Sequence, residues 1–160
     1  MEETPLFFPL FVSLQGKKCL IVGGGTIASR RAETLSQFQC EVEVIAPRLS
    51  EAMKKLEKSG MVQVKLKQYE TGDCMGAFLV VAATDDRQVN RQIGREAKEA
   101  GAFVSVADAR EECSFFFPGV AVNPQQKTVI GVTASGQNHK LVKELTKSCR
   151  KIVEECHEKS

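Results

Sequence analysis

Short apolar runs alternate with stretches of helical periodicity along most of the chain. Apolar runs that predict strands lie at residues 19–22, 42–46, 62–66, 77–83 and 102–107. Apolar positions spaced by three and four residues predict helices at residues 26–38, 50–59 and 86–100. Since strands and helices alternate at this spacing, we expect right-handed crossovers and an open, mainly parallel α/β sheet of the Rossmann type with flanking helices.

The composition of individual elements refines this prediction. The run 77–83 has no polar position, which predicts a strand covered on both faces at the centre of the sheet. Segment 62–66 alternates apolar and polar residues, as in a half-buried edge strand. Ser50 is a suitable N-cap for the second helix. In the first helix, the residues that we expect to face the core are Ile27, Arg31, Ala32, Leu35 and Phe38.

The C-terminal quarter has a different pattern. Residues 114–118 predict an apolar strand or turn, residues 128–133 predict a further strand, and a helix begins at about Asn138. We therefore divide the chain into a sheet domain, residues 1–137, and a C-terminal helix, residues 138–160. The helix carries an apolar stripe that needs either its own sheet domain or a second protomer as partner. The stripe comprises Leu141, Leu145, Cys149, Ile152 and Cys156.

Composition excludes several classes of function. A chain of 160 residues fits one domain, and 22 Lys+Arg against 20 Asp+Glu give a formal charge of +2. This balance argues against binding nucleic acid or a membrane surface through the overall field. The six cysteines form no CxxC motif, so we predict no metal site. We see no membrane span or basic leader, and we expect a cytoplasmic location.

A glycine-rich turn joins the first predicted strand to the first helix. It reads Gly23-x-Gly25-x-x-Ala28. In dinucleotide-binding folds the first glycine permits the tight turn, the second lets the backbone approach a pyrophosphate, and a small third residue keeps helix and strand close. Phosphate charge would meet the free N–H groups and positive dipole end of the helix at Thr26 and Ile27. This strand–turn–helix context predicts dinucleotide binding rather than a purely structural turn.

The second predicted strand lacks the acidic residue that usually holds the adenosine ribose. It ends Ala46-Pro47-Arg48, and Glu43 alternates with apolar positions as a solvated strand residue. We expect backbone near Pro47 to contact the ribose. Arg48 leaves NADP open, because an arginine at this point can accommodate a 2′-phosphate.

Polar residues follow the predicted strands where open α/β sheets bind ligands, beyond the carboxyl ends of the strands. They are Thr84-Asp85-Asp86, Ser105 with Asp108, and residues 133–138. Asp108 closes an otherwise apolar strand and is the best candidate for acid/base chemistry, although it could simply cap a turn. We expect one of Asp85 and Asp86 to cap the following helix.

Several short segments together are far more specific than the glycine motif alone. In order they are Phe8-Pro9-Leu10-Phe11, the three glycines with Ala28 and Arg30, Val44-Ile45-Ala46-Pro47, Ala82-Ala83-Thr84-Asp85-Asp86 with Val89-Asn90, Val104-Ser105-Val106-Ala107-Asp108 and Phe115-x-Phe117-Pro118. In this order they resemble precorrin-2 dehydrogenase, the N-terminal module of siroheme synthases. The resemblance implies NAD-dependent oxidation of precorrin-2 to sirohydrochlorin, followed in some members by insertion of Fe²⁺ as a substrate.

The resemblance also implies roles for individual residues. Asp108 matches an aspartate implicated in both dehydrogenation and chelation, and Thr26, Ile27, Pro47 and Arg48 match NAD contacts. The predicted cofactor-binding residues are together Gly23, Gly24, Gly25, Thr26, Ile27, Ala28, Pro47, Arg48, Ala83, Thr84 and Asp85. The predicted substrate-binding residues are Ser105, Thr133, Ser135 and Gly136.

Two features of the chain depart from the family pattern. The family commonly has Asn where Ser105 stands, and a Ser-x-Gly-Gly-x-Ser-Pro loop where the chain reads Thr133-Ala134-Ser135-Gly136-Gln137-Asn138-His139. Members usually continue through a helical dimerisation region. We expect residues 138–160 to form the start of that region, with a homodimer where it is complete.

A regulatory NAD-binding module without catalysis is the alternative from another class, as in the domains that gate potassium transport. Those modules share the glycine turn but ordinarily place an acidic residue after the second strand. The Ala46-Pro47 ending argues against that alternative, as do Asp108 and the segment 115–118.

Overall fold

A computed structural model describes residues 6–156 and contains a five-stranded sheet. The strands are β1 (Lys18–Val22), β2 (Glu41–Ile45), β3 (Gln63–Lys65), β4 (Leu79–Ala82) and β5 (Phe103–Val106). All neighbours pair in parallel, in the order β3-β2-β1-β4-β5. The predicted Rossmann-like parallel sheet is confirmed. β3 lies at an edge as predicted, and the fully buried β4 lies beside the central strand β1.

Side chains cap three of the four helices that the sequence predicts. The helices are α1 (Thr26–Ser36), α2 (Glu51–Lys58), α3 (Arg87–Glu99) and α4 (His139–Glu155). Ser50 Oγ accepts a hydrogen bond from the Met53 N–H at 3.2 Å. Asp86 Oδ1 accepts hydrogen bonds from the N–H groups of Gln88 and Val89 at 2.8 and 3.2 Å. Both predicted caps are therefore confirmed, and the second residue of the acidic pair is the one that caps α3.

The buried face of α1 differs from the predicted face. Ala28, Ser29, Ala32 and Leu35 are buried, whereas Ile27 is 52% exposed. The prediction that Ile27 faces the core is wrong. Successive helical residues are rotated by about 100°, so the row of small residues that packs on the sheet turns Ile27 towards solvent.

The chain divides into two compact units. One is Val12–Phe115, which contains the parallel sheet with α1, α2 and α3. The other comprises residues 6–11 and 116–156. The division falls at residue 115, whereas the sequence pattern placed the end of the sheet domain at residue 137. Residues 1–5 and 157–160, at the ends of the predicted domains, lie outside the described residues.

The second unit is built from a hairpin and α4. Strands β6 (Gly119–Asn123) and β7 (Thr128–Val132) pair with each other in antiparallel fashion and not with the parallel sheet. Helix α4 packs on this hairpin: Asn123 Nδ2 donates to the Val153 carbonyl at 3.0 Å, and a Cβ on Gly119 would lie 2.1 Å from Thr146 Oγ1. Segment 114–118 forms no strand.

The face of α4 that packs on the hairpin is not the predicted stripe. Thr146 and Val153 are the buried residues of α4. Leu141, Leu145 and Ile152 of the stripe are exposed. The stripe therefore lacks cover from the hairpin of its own chain.

A half-buried carboxylate links the three strands on one side of the sheet. Glu43 lies in the middle of β2, and its side chain is only 15% exposed, so the prediction of a solvated residue is wrong. Lys18 Nζ lies 3.2 Å from Glu43 Oε1, and Lys65 Nζ lies 2.9 Å from Glu43 Oε2. Burial alone would raise the pKa of Glu43, but the hydrogen bonds from Lys65 and Lys18 outweigh burial and lower it.

We expect Glu43 to make the stability of the protein depend on acidic pH. A lowered pKa in the folded state means that the contribution is fully present above the ordinary value of 4.5 and is lost as pH falls through the folded pKa. Glu43→Gln should lower the free energy of unfolding at pH 7 by about 1 kcal/mol, with a smaller difference from wild type below pH 4.5. Urea unfolding across this pH range measures both effects.

Glu51→Gln is the control for this prediction. Glu51 pairs with Lys54 on the exposed surface of α2, so its loss should leave the urea midpoint nearly unchanged. A Glu43→Gln difference that stays constant from pH 7 to the acid transition would contradict the role of this ion pair.

Candidate functional site

The glycine turn after β1 is packed directly against two other loops. Gly23 has φ +127°, and a Cβ there would lie 2.1 Å from the Ala83 carbonyl oxygen. A Cβ on Gly24 would lie 2.0 Å from the Arg48 carbonyl oxygen. A Cβ on Gly25 would meet no atom within 4 Å. Gly23 and Gly24 are therefore required by the protein's own backbone, whereas Gly25 borders open space where a ligand can approach.

The N-terminus of α1 is available to an anion. Gly25 is its N-cap and makes no side-chain cap hydrogen bond, and the first turn of α1 holds no acidic residue. Thr26 and Ile27 are exposed there, and the buried Ala28 brings the helix against the sheet. Free N–H groups and the positive end of the helix dipole suit a pyrophosphate. The residues present thus fit a dinucleotide.

Two serines hold the turn in place beneath its exposed edge. Ser29 Oγ donates to the Gly25 carbonyl at 2.8 Å and lies 2.9 Å from Ser50 Oγ. The Ser50 N–H donates to the Gly24 carbonyl at 2.8 Å. Because the hydroxyl hydrogen of Ser29 is already used, Ser50 is the donor in the contact between the two hydroxyls. Sequence reasoning missed Ser29, whose only signal is a polar residue in the small-residue row of α1.

The end of β2 lies beside the turn. Pro47 and Arg48 are exposed directly after this strand, with the Arg48 carbonyl packed against Gly24. Glu43, the acidic side chain of β2 nearest to this end, is engaged by lysines in the middle of the strand. The basic Arg48 therefore stands where dinucleotide-binding folds usually place a carboxylate.

The end of β4 closes on the turn from the other side. The Ala83 N–H donates to the Val22 carbonyl at 2.8 Å, and the Ala83 carbonyl faces Gly23. Thr84 Oγ1 donates to Asn90 Oδ1 at 2.7 Å. Asp85 is exposed at this carboxyl edge. The structure thus brings the predicted cofactor-binding residues of three loops together at one edge of the sheet.

Asp108 lies at the same edge, two residues after β5. Its Oδ2 accepts a hydrogen bond from Asn90 Nδ2 at 3.0 Å, and its Oδ1 lies 3.3 Å from Arg87 Nη1. Arg87 also contacts Glu112 Oε1. The side chain of Asp108 is 38% exposed, so the carboxylate is held from two sides and still reaches solvent. It can therefore exchange a proton with a bound molecule.

Ser105 lies inside β5 and is buried. Its Oγ accepts a hydrogen bond from Arg31 Nη1 at 3.1 Å. Burial lowers the pKa of Arg31, although an arginine keeps its charge at physiological pH. The Ser105 hydroxyl is therefore already engaged by the Arg31 guanidinium.

The remaining predicted substrate residues belong to the second compact unit. Thr133, Ser135 and Gly136 lie between β7 and α4. The Ser135 N–H donates to Thr133 Oγ1 at 3.1 Å, and Ser135 and Gly136 have φ values of +52° and +74°. They form a tight turn just before α4.

Two further observations concern the described residues as a whole. Across residues 6–156, no helix combines the length and apolar composition that a membrane span requires. In the same part of the chain, no group of three or more His, Cys, Asp or Glu side chains could hold a metal ion.

Comparison with protein families identifies the fold that carries this site. Residues 10–119 match NAD_binding_7, a family of NAD(P)-binding domains. The chain belongs to this NAD(P)-binding family. The matched residues include the glycine turn, the ends of β2 and β4, and Asp108.

Relatives of this NAD(P)-binding domain include proteins of siroheme biosynthesis. The chain is 42% identical over 147 residues to a multifunctional siroheme biosynthesis protein, HemA, of Ruminiclostridium josui. It is 37% and 33% identical over 130 residues to siroheme synthases of Pseudomonas aeruginosa and Nitrosococcus oceani. The match covers 91% of the chain for HemA and 81% for each of the other two. The chain spans 27–28% of the length of these relatives.

A solved structure shows the same relationship. SirC, a precorrin-2 dehydrogenase, superposes with a TM-score of 0.73 at 25% identity over 91% of this chain and 71% of its own. The predicted resemblance to precorrin-2 dehydrogenases and the N-terminal module of siroheme synthases is confirmed.

Proposed function

We propose that this domain oxidises precorrin-2 to sirohydrochlorin with NAD in siroheme biosynthesis. The observation that carries the proposal is the position of Asp108, which shares one edge of the sheet with the glycine turn and is connected to it through Asn90 and Thr84. The names of its relatives, siroheme synthases and a precorrin-2 dehydrogenase, support precorrin-2 as the substrate.

The proposed chemistry removes a hydride and a proton from precorrin-2. NAD, when bound, accepts the hydride. This chain supplies the backbone at Gly25, Thr26 and Ile27 for the pyrophosphate, and the exposed Asp108 carboxylate accepts the proton. The two electrons leave with the hydride, so the proton is the only other particle that the protein must take up.

Anaerobic incubation with precorrin-2 tests this proposal. Wild-type protein with NAD should produce reduced cofactor, which is followed by its near-ultraviolet absorbance, together with sirohydrochlorin. Absence of turnover with both NAD and NADP, despite measurable binding of NAD, would overturn the proposal and favour a regulatory module.

NAD is the proposed cofactor, and Arg48 determines how well NADP competes with it. Arg48 is exposed at the end of β2, where a 2′-phosphate would come close to it. Arg48→Ala should weaken NADP about tenfold, the loss of one charge-assisted contact, and change NAD affinity by less than about twofold. Calorimetric titration with each cofactor measures the two dissociation constants. An equal loss for NAD and NADP would contradict this role.

A substrate contact is proposed at Ser105, and the contacts that the resemblance implies at Thr133, Ser135 and Gly136 stay predictions. Precorrin-2 is a polycarboxylate, and a formal charge of +2 gives the chain no strong overall attraction for it. Its carboxylates therefore need local cations, and the Arg31 guanidinium, which donates to Ser105 Oγ, is the proposed cation at this position.

Fe²⁺ is proposed as a second substrate, with Asp108 taking up pyrrole protons during chelation. Formation of siroheme from sirohydrochlorin and Fe²⁺ without NAD tests that step.

A homodimer is proposed on the basis of α4. Leu141, Leu145 and Ile152 form an exposed apolar row along this helix. A contiguous exposed apolar surface is typical of a protein–protein interface, and a second copy of the chain would cover it. The mass from light scattering should be about twice that of one chain, and Leu145→Glu should shift it towards the monomer. A monomeric wild type at micromolar concentration would contradict this proposal.

A further inference from the structure

We infer that Asn90 is the positioning residue of this site, which fixes the Asp108 carboxylate relative to the turn that closes on Gly23. The inference rests on the proposed function, because positioning has a catalytic consequence only if Asp108 is the base. Asn90 lies on α3 and is fully buried.

The side-chain amide of Asn90 bridges the ends of β4 and β5. Its Oδ1 accepts hydrogen bonds from the Thr84 N–H at 3.0 Å and from Thr84 Oγ1 at 2.7 Å. Its Nδ2 donates to the Thr84 carbonyl at 3.0 Å and to Asp108 Oδ2 at 3.0 Å. All four hydrogen-bonding positions of the amide are thereby used.

The chemistry of the partners permits only one orientation of this amide. The Thr84 N–H can only donate, so it must face Oδ1. The Thr84 carbonyl can only accept, so it must face Nδ2, which also donates to Asp108 Oδ2. A flipped amide would place a donor against a donor and an oxygen against the carboxylate. Asn90 therefore presents a fixed N–H to Asp108 from a rigid, buried position.

Asn90 is the polar residue on the buried face of α3. The buried face of α3 otherwise consists of Ile93, Gly94 and Ala97, which pack beneath β4 and β5. Burying an amide on an apolar face is unfavourable unless every polar atom is paired. An aliphatic side chain would fill this position without that requirement, but it could hold neither Thr84 nor Asp108.

The contact on the other side of Asp108 is of a different kind. Arg87 is 43% exposed, lies 3.3 Å from Asp108 Oδ1 and is shared with Glu112. An exposed pair of this type is weakened by solvent and can rearrange when a substrate carboxylate arrives. Asn90 is thus the contact that keeps its place during the reaction.

Asn90→Asp removes the two N–H donors and keeps the shape and both acceptor positions for Thr84. We expect kcat at neutral pH to fall on the order of 100-fold, while the NAD dissociation constant and the KM for precorrin-2 change by less than about threefold. Two neighbouring carboxyls would share one proton, so the acid limb of the kcat profile should move to higher pH. A residue that only supports the fold would not move this limb.

Gln92→Ala is the matched control. It also removes a side-chain amide from α3, but the amide of Gln92 contacts Thr71 and Glu96, away from the carboxyl edge. It should retain the wild-type kcat and pH profile. Wild-type kcat and an unchanged acid limb in Asn90→Asp would overturn the inference.

A second measurement needs neither turnover nor an Asn90 variant. In the ¹H–¹⁵N spectrum of the wild type, Asn90 should show two distinct side-chain protons that exchange slowly with water. In Asp108→Ala, the proton that is hydrogen-bonded to Asp108 in the wild type should shift upfield and exchange faster with water. The proton that is hydrogen-bonded to the Thr84 carbonyl should keep its chemical shift and exchange rate. Two unaffected protons would overturn the contact. An inactive wild type would overturn the proposed function instead, and the spectrum would still decide the contact.

Discussion

Replacing Asp108 with asparagine is expected to lower kcat for precorrin-2 oxidation by about 100- to 10,000-fold, the range that one general base contributes. Asparagine keeps the size of the side chain and one oxygen for the Asn90 N–H, but a neutral amide does not accept a proton at physiological pH. The dissociation constant for NAD should change by less than about threefold, because Asp108 lies outside the glycine turn. Steady-state turnover and calorimetric titration with NAD measure the two quantities.

Glu111→Gln is the control for this substitution. It neutralises an exposed carboxylate three residues further along the chain and should retain wild-type turnover. Unchanged kcat in Asp108→Asn would remove Asp108 from the mechanism. A parallel loss of NAD binding would mean that the residue supports the cofactor site rather than the chemistry.

Alanine substitutions in the glycine turn are expected to separate folding from cofactor binding. In Gly23→Ala, the new Cβ would lie 2.1 Å from the Ala83 carbonyl oxygen at a φ of +127°, so the loops must move apart. The free energy of unfolding should fall by about 2–4 kcal/mol, and NAD binding should be lost. Thermal unfolding and NAD titration are the two measurements.

Gly25→Ala is the matched variant for this test. A Cβ on Gly25 meets no protein atom within 4 Å, so the unfolding temperature should stay within a few degrees of wild type. The methyl group would occupy the space through which a pyrophosphate approaches, and NAD affinity should fall at least about tenfold. Wild-type affinity in Gly25→Ala would contradict the placement of the pyrophosphate at this turn.

The sheet could be predicted from the sequence because its elements differ in periodicity. Strand β4 is apolar at every position, and α3 has a capping aspartate and a regular inward face. Since both signals are local, they fix the order and boundaries of the elements. Open α/β sheets bind ligands beyond the carboxyl ends of their strands. The sequence alone therefore predicted that the glycine turn, Thr84 and Asp108 lie at the same edge of the sheet.

Two features of the C-terminal unit could not be predicted because they depend on packing between distant residues. Periodicity locates an apolar stripe, but on α4 the hairpin packs on the row with Thr146 and Val153 and leaves the stripe with Leu145 exposed. The pairing of β6 with β7 makes a separate unit of residues that the pattern had joined to the sheet.

Asn90 shows the same limitation at the candidate site. Its partners are Thr84 and Asp108, which come from the ends of two different strands. The signal in the sequence is one amide on an otherwise apolar helix face. Only the assembled sheet shows that this amide joins Thr84 to the Asp108 carboxylate.

The central claim is that the glycine turn and Asp108 form one site, in which NAD bound at α1 brings its nicotinamide to the carboxylate. A crystal structure of the NAD complex tests it most directly. We predict the pyrophosphate on the N–H groups of Thr26 and Ile27, the adenosine beside Pro47 and Arg48, and the nicotinamide at the carboxyl ends of β4 and β5 next to Asp108. A nicotinamide directed past β2, with Asp108 facing only solvent, would contradict the claim.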